Sequence, residues 1–132
     1  MSQSPDPEVL AEAIRRLSQR SLSEHELRAK LAKHGALVEA VVNHLVSKGL
    51  LNDNRVAEAI SRQANEGGRS DAWVSHQLVE KGLEQASGLN SEFDRARRAI
   101  ERKRPKHVGR FLAGRGFAED TIASIIEEAN DV

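Results

Sequence analysis

A chain of 132 residues with no cysteine must draw any chemistry from histidine, carboxylates, hydroxyls or cations. Its five histidines are His25, His34, His44, His76 and His107, and no two stand three or four residues apart, the spacing at which one helix face presents a pair of metal ligands. They read as surface or capping residues. Glu24 and Glu26 suit the first turn of a helix, where the exposed N–H groups favour negative charge. Glu127 and Glu128 are adjacent and so point to different parts of a helix surface, which gives no support to a two-carboxylate hydrolase. No serine lies in a nucleophile-elbow pattern. "GGR" and "GRG" lack the glycine spacing and the following Lys-Ser or Lys-Thr of a phosphate loop. These residues predict no catalytic group, no metal site and no cofactor, and a protein that is not an enzyme.

The remaining chemistry is cationic. Twenty basic residues balance twenty acidic ones, but residues 95 to 115 hold nine Arg or Lys and one acid, Glu101. After Arg115 the charged residues are all acidic. On a helix, Arg95, Arg98 and Arg102 share a face at three- and four-residue spacing, beside the apolar Phe93, Ala96 and Ile100. Such a face can contact phosphates or an acidic protein surface, against the plainer reading of a solvated surface. Base stacking has little support, because the chain has no tyrosine, one tryptophan and three phenylalanines. Trp73, one residue off an apolar stripe, reads as packing in preference to a partner anchor. Sequence-specific DNA reading is disfavoured, since "TIASIIEEAN" offers few polar side chains for base edges.

The elements that must carry these residues are helical throughout. Asp6 caps and Pro7 opens the first helix, which places Leu10, Ile14 and Leu17 on one side. Ser23 and Glu26 have capping-box spacing, with Leu22 and Leu27 as a hydrophobic staple. Three stretches then resemble one another: "LRAKLAKHG" ending at Gly35, "VSHQLVEKG" ending at Gly82 and "VGRFLAGRG" ending at Gly116. Leu31, Leu78 and Leu112 precede the glycines by four residues, and Leu27, Val74 and Val108 by eight. Each stretch predicts a short helix with a narrow apolar stripe and a left-handed glycine stop. A third helix carries Val38, Val41, Val42 and Leu45 and stops at Gly49, whereas "LEQASGLN" after Gly82 is too short and broken to match it. Asp53 and Ser70 read as caps, and Pro105 separates the last basic helix from the next.

Divergent repetition of this kind predicts an all-α chain of tandem three-helix modules, helix-turn-helix-like in plan. The expected divisions are a disordered N-terminus at 1–6, a first module at 7–52, a second at 53–90 with a weak third helix, and a third at 91–130. The N-terminus has neither a basic region nor an apolar run, and no segment is long enough to span a membrane, which suggests a cytoplasmic protein without membrane association.

Four segments are similar, in order and spacing, to the RecX family, regulatory proteins of the bacterial RecA recombinase. They are "RSLSEHELRAKLAKHG" from Arg20 to Gly35, "LVSKGLLNDNRVAEA" from Leu45 to Ala59, "QLVEKGL" from Gln77 to Leu83, and "RFLAGRGF" from Arg110 to Phe117. Val56 stands where a larger aromatic residue is usual in that family. The resemblance implies tandem modules in an elongated, bent arrangement. It implies a partner, the RecA filament, whose groove is occupied and whose ATPase and strand exchange are commonly inhibited, with weak direct binding to single- or double-stranded DNA in some members. A monomer is expected. On this reading Arg98, Arg102, Arg110 and Arg115 would meet acidic groups or phosphates, with Arg95 on the same face and Arg69 and Lys81 adding reach.

Overall fold

Short polar side chains decide where the helices begin. In the computed structural model, which describes residues 4–130, the Asp6 carboxylate accepts the Val9 N–H at 3.1 Å and α1 runs Pro7–Gln19. Of the stretch 1–6 read as disordered, residues 1–3 lie outside the described residues, and Asp6 is a formed cap. Ser23 and Glu26 make the full reciprocal box at the start of α2, Glu24–Lys30. The Ser23 hydroxyl accepts the Glu26 N–H at 3.1 Å, while Glu26 accepts the Ser23 N–H at 3.0 Å. Ser70 accepts the Trp73 N–H at 3.1 Å and opens α5, Asp71–Lys81, and Ser91 does the same for α6, Glu92–Lys103.

Two boundaries differ from the sequence reading. The regular part of α2 ends at Lys30, and Ala32–Leu37 holds tighter 3₁₀ turns on either side of a kink at Gly35 before α3, Val38–Ser47. Gly35 supplies the positive φ, 53°, so the glycine stop acts where the sequence places it, but the turn that leads into it is 3₁₀ and not α-helical. Asp53 does not cap α4, Asp53–Gly67. Asn52 takes that part, accepting the Asn54 N–H at 2.9 Å, and the Asp53 carboxylate accepts the Glu24 N–H at 2.9 Å. An acid at the head of an apolar-striped segment looks like a local cap; here its partner is the unsatisfied first turn of another helix.

Residues 82–91 form no helix, as the broken sequence predicts. α6 stops at Lys103, and Arg104, directly before Pro105, takes the left-handed conformation at φ 47°. The remaining helices are α7, Val108–Gly114, and α8, Glu119–Asn130, so the described residues are all-α.

Contacts group the chain into two compact units. The first runs through Val56 and includes Glu80–Leu83. Its core joins Val9 and Ala13 of α1, Leu27 of α2, Leu31, and Val41, Val42 and Leu45 of α3, all at or near zero exposure. Polar contacts finish it. The Ser23 hydroxyl donates to the Lys81 carbonyl at 2.7 Å, and the Lys81 ammonium lies 3.5 Å from the Glu26 carboxylate. Glu12, on α1, meets Arg16 at 3.2 Å, His34 at 3.2 Å and Lys33 at 3.5 Å. Those partners, the His34 hydrogen bond foremost, then that of Arg16, hold its carboxyl down at about 2.

The second unit comprises Ala57–Val79 and the residues from Glu84 onward. Ala96, Ala99, Leu112, Phe117 and Ile125 form its centre, with α8 packed along α6 and against α7. Gly68, at φ 63°, lies so close to α6 that a Cβ there would stand 2.5 Å from the Ala99 nitrogen. Arg95 corrects the reading that placed it with Arg98 and Arg102 as a contact residue. Its side chain is 2 % exposed, donating to the Arg69 carbonyl at 2.7 Å and the Asn90 carbonyl at 3.0 Å, and it pairs with the Asp71 carboxylate. Beside it, Glu92 accepts the Asp71 N–H at 2.7 Å, the Ala118 N–H at 3.1 Å and the Thr121 hydroxyl. Burial raises the Glu92 carboxyl, but the Thr121 hydrogen bond, the two N–H groups and the Arg95 charge together leave it lowered.

Three outcomes test this account. In urea titrations, Gly68→Ala is expected to lose about 3 kcal/mol through backbone strain plus the clash with α6, and Gly88→Ala, at φ 79° with open space around it, only about 1 kcal/mol. Arg95→Ala removes a buried guanidinium from two carbonyls and a carboxylate and opens a cavity, for an expected loss of about 3 kcal/mol, whereas the half-exposed Arg98→Ala stays within about 1 kcal/mol. Because the Glu12 carboxyl is depressed on folding, its contribution is present above its ordinary value of 4.5 and disappears as pH falls towards 2. The fall of the urea midpoint across that window is expected to be shallower in Glu12→Gln than in the native chain; equal slopes contradict it.

Candidate functional site

The second unit gathers cations that are far apart in sequence. Glu66, in the last turn of α4, carries a carbonyl with no further helical N–H to accept. The Arg98 Nε donates to it at 3.1 Å and the Arg102 Nη1 at 2.9 Å, so two arginines one turn apart on α6 are held by a single oxygen. This is the shared face that their spacing predicts, and its anchor is a backbone atom.

Two further arginines are held by aromatic rings. The Arg69 guanidinium lies 5.5 Å from the centre of the Trp73 ring, and that of Arg115 lies 5.1 Å from the Phe111 ring. A guanidinium over a ring face is attracted by the ring quadrupole and keeps its N–H edge open for an acceptor. Trp73 is half-buried, so the packing role expected of it holds in part and the ring also serves as a platform.

Arg69, Arg102 and Arg115 converge on a concave pocket of about 130 Å³, where Lys103 joins them and Gly67 and Ala99 complete the lining. Among the described residues none of the four cations has a carboxylate within ion-pair distance. Their positive charge is therefore uncompensated by neighbouring side chains.

The other candidate residues lie elsewhere. Arg98 stands outside the pocket and pairs with Glu101 at 3.7 Å. Arg110 is exposed on α7 and does not line it. Lys81 belongs to the first unit, where Glu26 engages it, so it adds no free reach. Arg95 is internal. Lys103 was missed by the sequence reading, although it sits inside the basic run. The i,i+4 pairs Arg69–Trp73 and Phe111–Arg115 were legible as ring-and-cation spacings and would have singled out two of the four.

A larger groove of about 640 Å³ shares no residue with this pocket. It is lined by Ile100, Val108, Ile125 and Ile126 among others, and Arg97 and Glu128 meet at 3.9 Å on its rim. Among the described residues no cluster of three or more His, Asp or Glu is placed to hold a metal ion. No described helix is long and apolar enough to cross a membrane.

No protein-family model matches the chain. It is 30% identical to the regulatory protein RecX of Neisseria meningitidis serogroup A, a match that covers 96% of this chain and 94% of that protein. To RecX of Ralstonia nicotianae it is 32% identical, over 91% of this chain and 87% of the other. The crystal structure of RecX from Lactobacillus salivarius superposes with a TM-score of 0.72, covering 95% of this chain and 96% of that one at 21% identity, a likeness of fold. With relatives at this level of identity along nearly their whole length, the chain belongs to the RecX family of regulatory proteins.

Proposed function

We propose that this chain regulates the RecA recombinase by binding the RecA–DNA filament in its groove, most often as an inhibitor of ATP turnover and strand exchange. The observation that carries the reading is a set of arginines in the second unit, the exposed Arg98, Arg102 and Arg110 with the half-buried Arg115, on a chain of the RecX family. Each exposed contact is worth about 1 kcal/mol or less, so affinity comes from several made at once. A bound chain would oppose the movements between recombinase subunits that accompany ATP turnover. No step of this mechanism requires a catalytic group, and division of the chain into three successive modules would present a series of surfaces to a repeating partner.

A second reading is favoured by the uncompensated cations of the pocket: a nucleic-acid module that holds the backbone without reading sequence. Phosphate neutralisation gives a linear loss of log affinity with log salt, so titrations with and without recombinase separate the two.

The direct test is the DNA-dependent ATPase of the recombinase from the same organism, pre-assembled on single-stranded DNA. Substoichiometric native chain is expected to inhibit, and a variant with Arg98, Arg102, Arg110 and Arg115 reversed to glutamate, shown by circular dichroism to be helical, is expected not to. An unchanged ATPase with native chain, together with salt-sensitive binding to bare DNA, selects the second reading.

A further inference from the structure

We propose that the pocket between Arg69, Arg102, Lys103 and Arg115 is a seat for a single phosphoryl group, carried by a DNA backbone or by a small phosphate. The inference names the ligand chemistry of the surface on which the proposed function rests, and it is tested without the recombinase.

The plainer explanation is that these cations serve helix ends. α4, α6 and α7 all finish near them, and the C-terminus of a helix favours positive charge. The magnitudes do not balance. Each helix end carries roughly half a negative charge, so three ends counted in full offset about 1.5 charges. Four cations line the pocket, and no described carboxylate pairs with them. An excess of more than two positive charges is left around one small concavity.

Placement is the second argument. Four unconstrained cations of like sign would separate into solvent. Three of these are held from behind: Arg102 by the Glu66 carbonyl, Arg69 by the Trp73 ring and Arg115 by the Phe111 ring. Each retains N–H groups for an incoming acceptor, and the restraint lowers the entropy lost when one arrives. Lys103 adds a mobile point charge from the last turn of α6.

Shape selects the anion. A carboxylate presents two oxygens in a plane with one charge. A phosphoryl group presents oxygens in several directions, which suits donors from α6, from the segment after α4 and from the end of α7. The lining is also open to backbone approach, because Gly67 and Ala99 contribute no bulk.

Trp73 is the only tryptophan in the chain and lies under Arg69, so its emission reports occupancy. Inorganic phosphate is titrated into the full chain at constant ionic strength with chloride, following Trp73 emission and the arginine Nε–H resonances. Saturable change at Arg69, Arg102 and Arg115 is expected. The double variant Arg102→Gln/Lys103→Gln is expected to weaken binding by about tenfold, and Lys30→Gln/Lys48→Gln, which removes the same charge from exposed positions elsewhere, by less than about twofold. Arg115→Gln repeats the comparison should the double variant fail to fold.

Competition identifies the source. If oligothymidylate displaces phosphate, the seat takes a backbone phosphodiester; if it does not, the occupant is a free phosphate or a small ester, and the proposal stands in both cases. A non-saturating response, equal losses in the two double variants, or displacement by polyglutamate at the same concentration as by oligothymidylate would overturn it. ATPase inhibition without phosphate binding removes the seat and leaves the RecA reading; phosphate binding without an ATPase effect does the reverse.

Discussion

The second unit depends on one buried guanidinium. Arg95 is shut away from water among the ends of neighbouring segments and ties Arg69 in the turn after α4, the loop before α6 and the first residue of α5 to one point. Burying such a charge is costly unless its hydrogen bonds are made, and here each nitrogen finds an acceptor. Glu92, one turn earlier on α6, faces the opposite need. Its carboxylate gathers the N–H groups at the starts of α5 and α8. Acid and base together let the first turn of a single helix fix the positions of two others.

That arrangement accounts for what the sequence could and could not convey. Local rules carried the caps at Asp6, Ser23 and Ser70, the stripes that became the buried Leu27, Leu31, Val74 and Leu112, and the absence of a helix after Gly82. They hold because donor and acceptor lie within one turn. Asp53 and Arg95 were misread for the complementary reason: their partners lie 29 and up to 26 residues away, and nothing nearby distinguishes them from a cap or a surface cation. Arg95 shares its spacing with Arg98 and Arg102, but a small rotation around α6 separates an interior position from an exposed one.

The candidate site follows the same division. That Arg98 and Arg102 share one face of a basic helix was visible in their spacing. The pocket itself was not, because it needs Arg69 from after α4 and Arg115 from the end of α7, and it is organised by the Glu66 carbonyl, an atom every residue possesses. Side-chain identity therefore supplied the charge, and only the close approach of Gly68, just after α4, to Ala99 of α6 supplied its convergence.

The sharing of that carbonyl by Arg98 and Arg102 links two properties usually treated apart. Helix ends are the first parts of a fold to open, since their terminal bonds have few neighbours. Here, opening the final turn of α4 would take the shared acceptor from both guanidiniums and leave Arg98 only its pairing with Glu101. The placing of Arg102 in the pocket and the fraying of one helix terminus are thus coupled: whatever loosens the last turn of α4 takes the support from one of the four cations, while the two held on rings keep theirs.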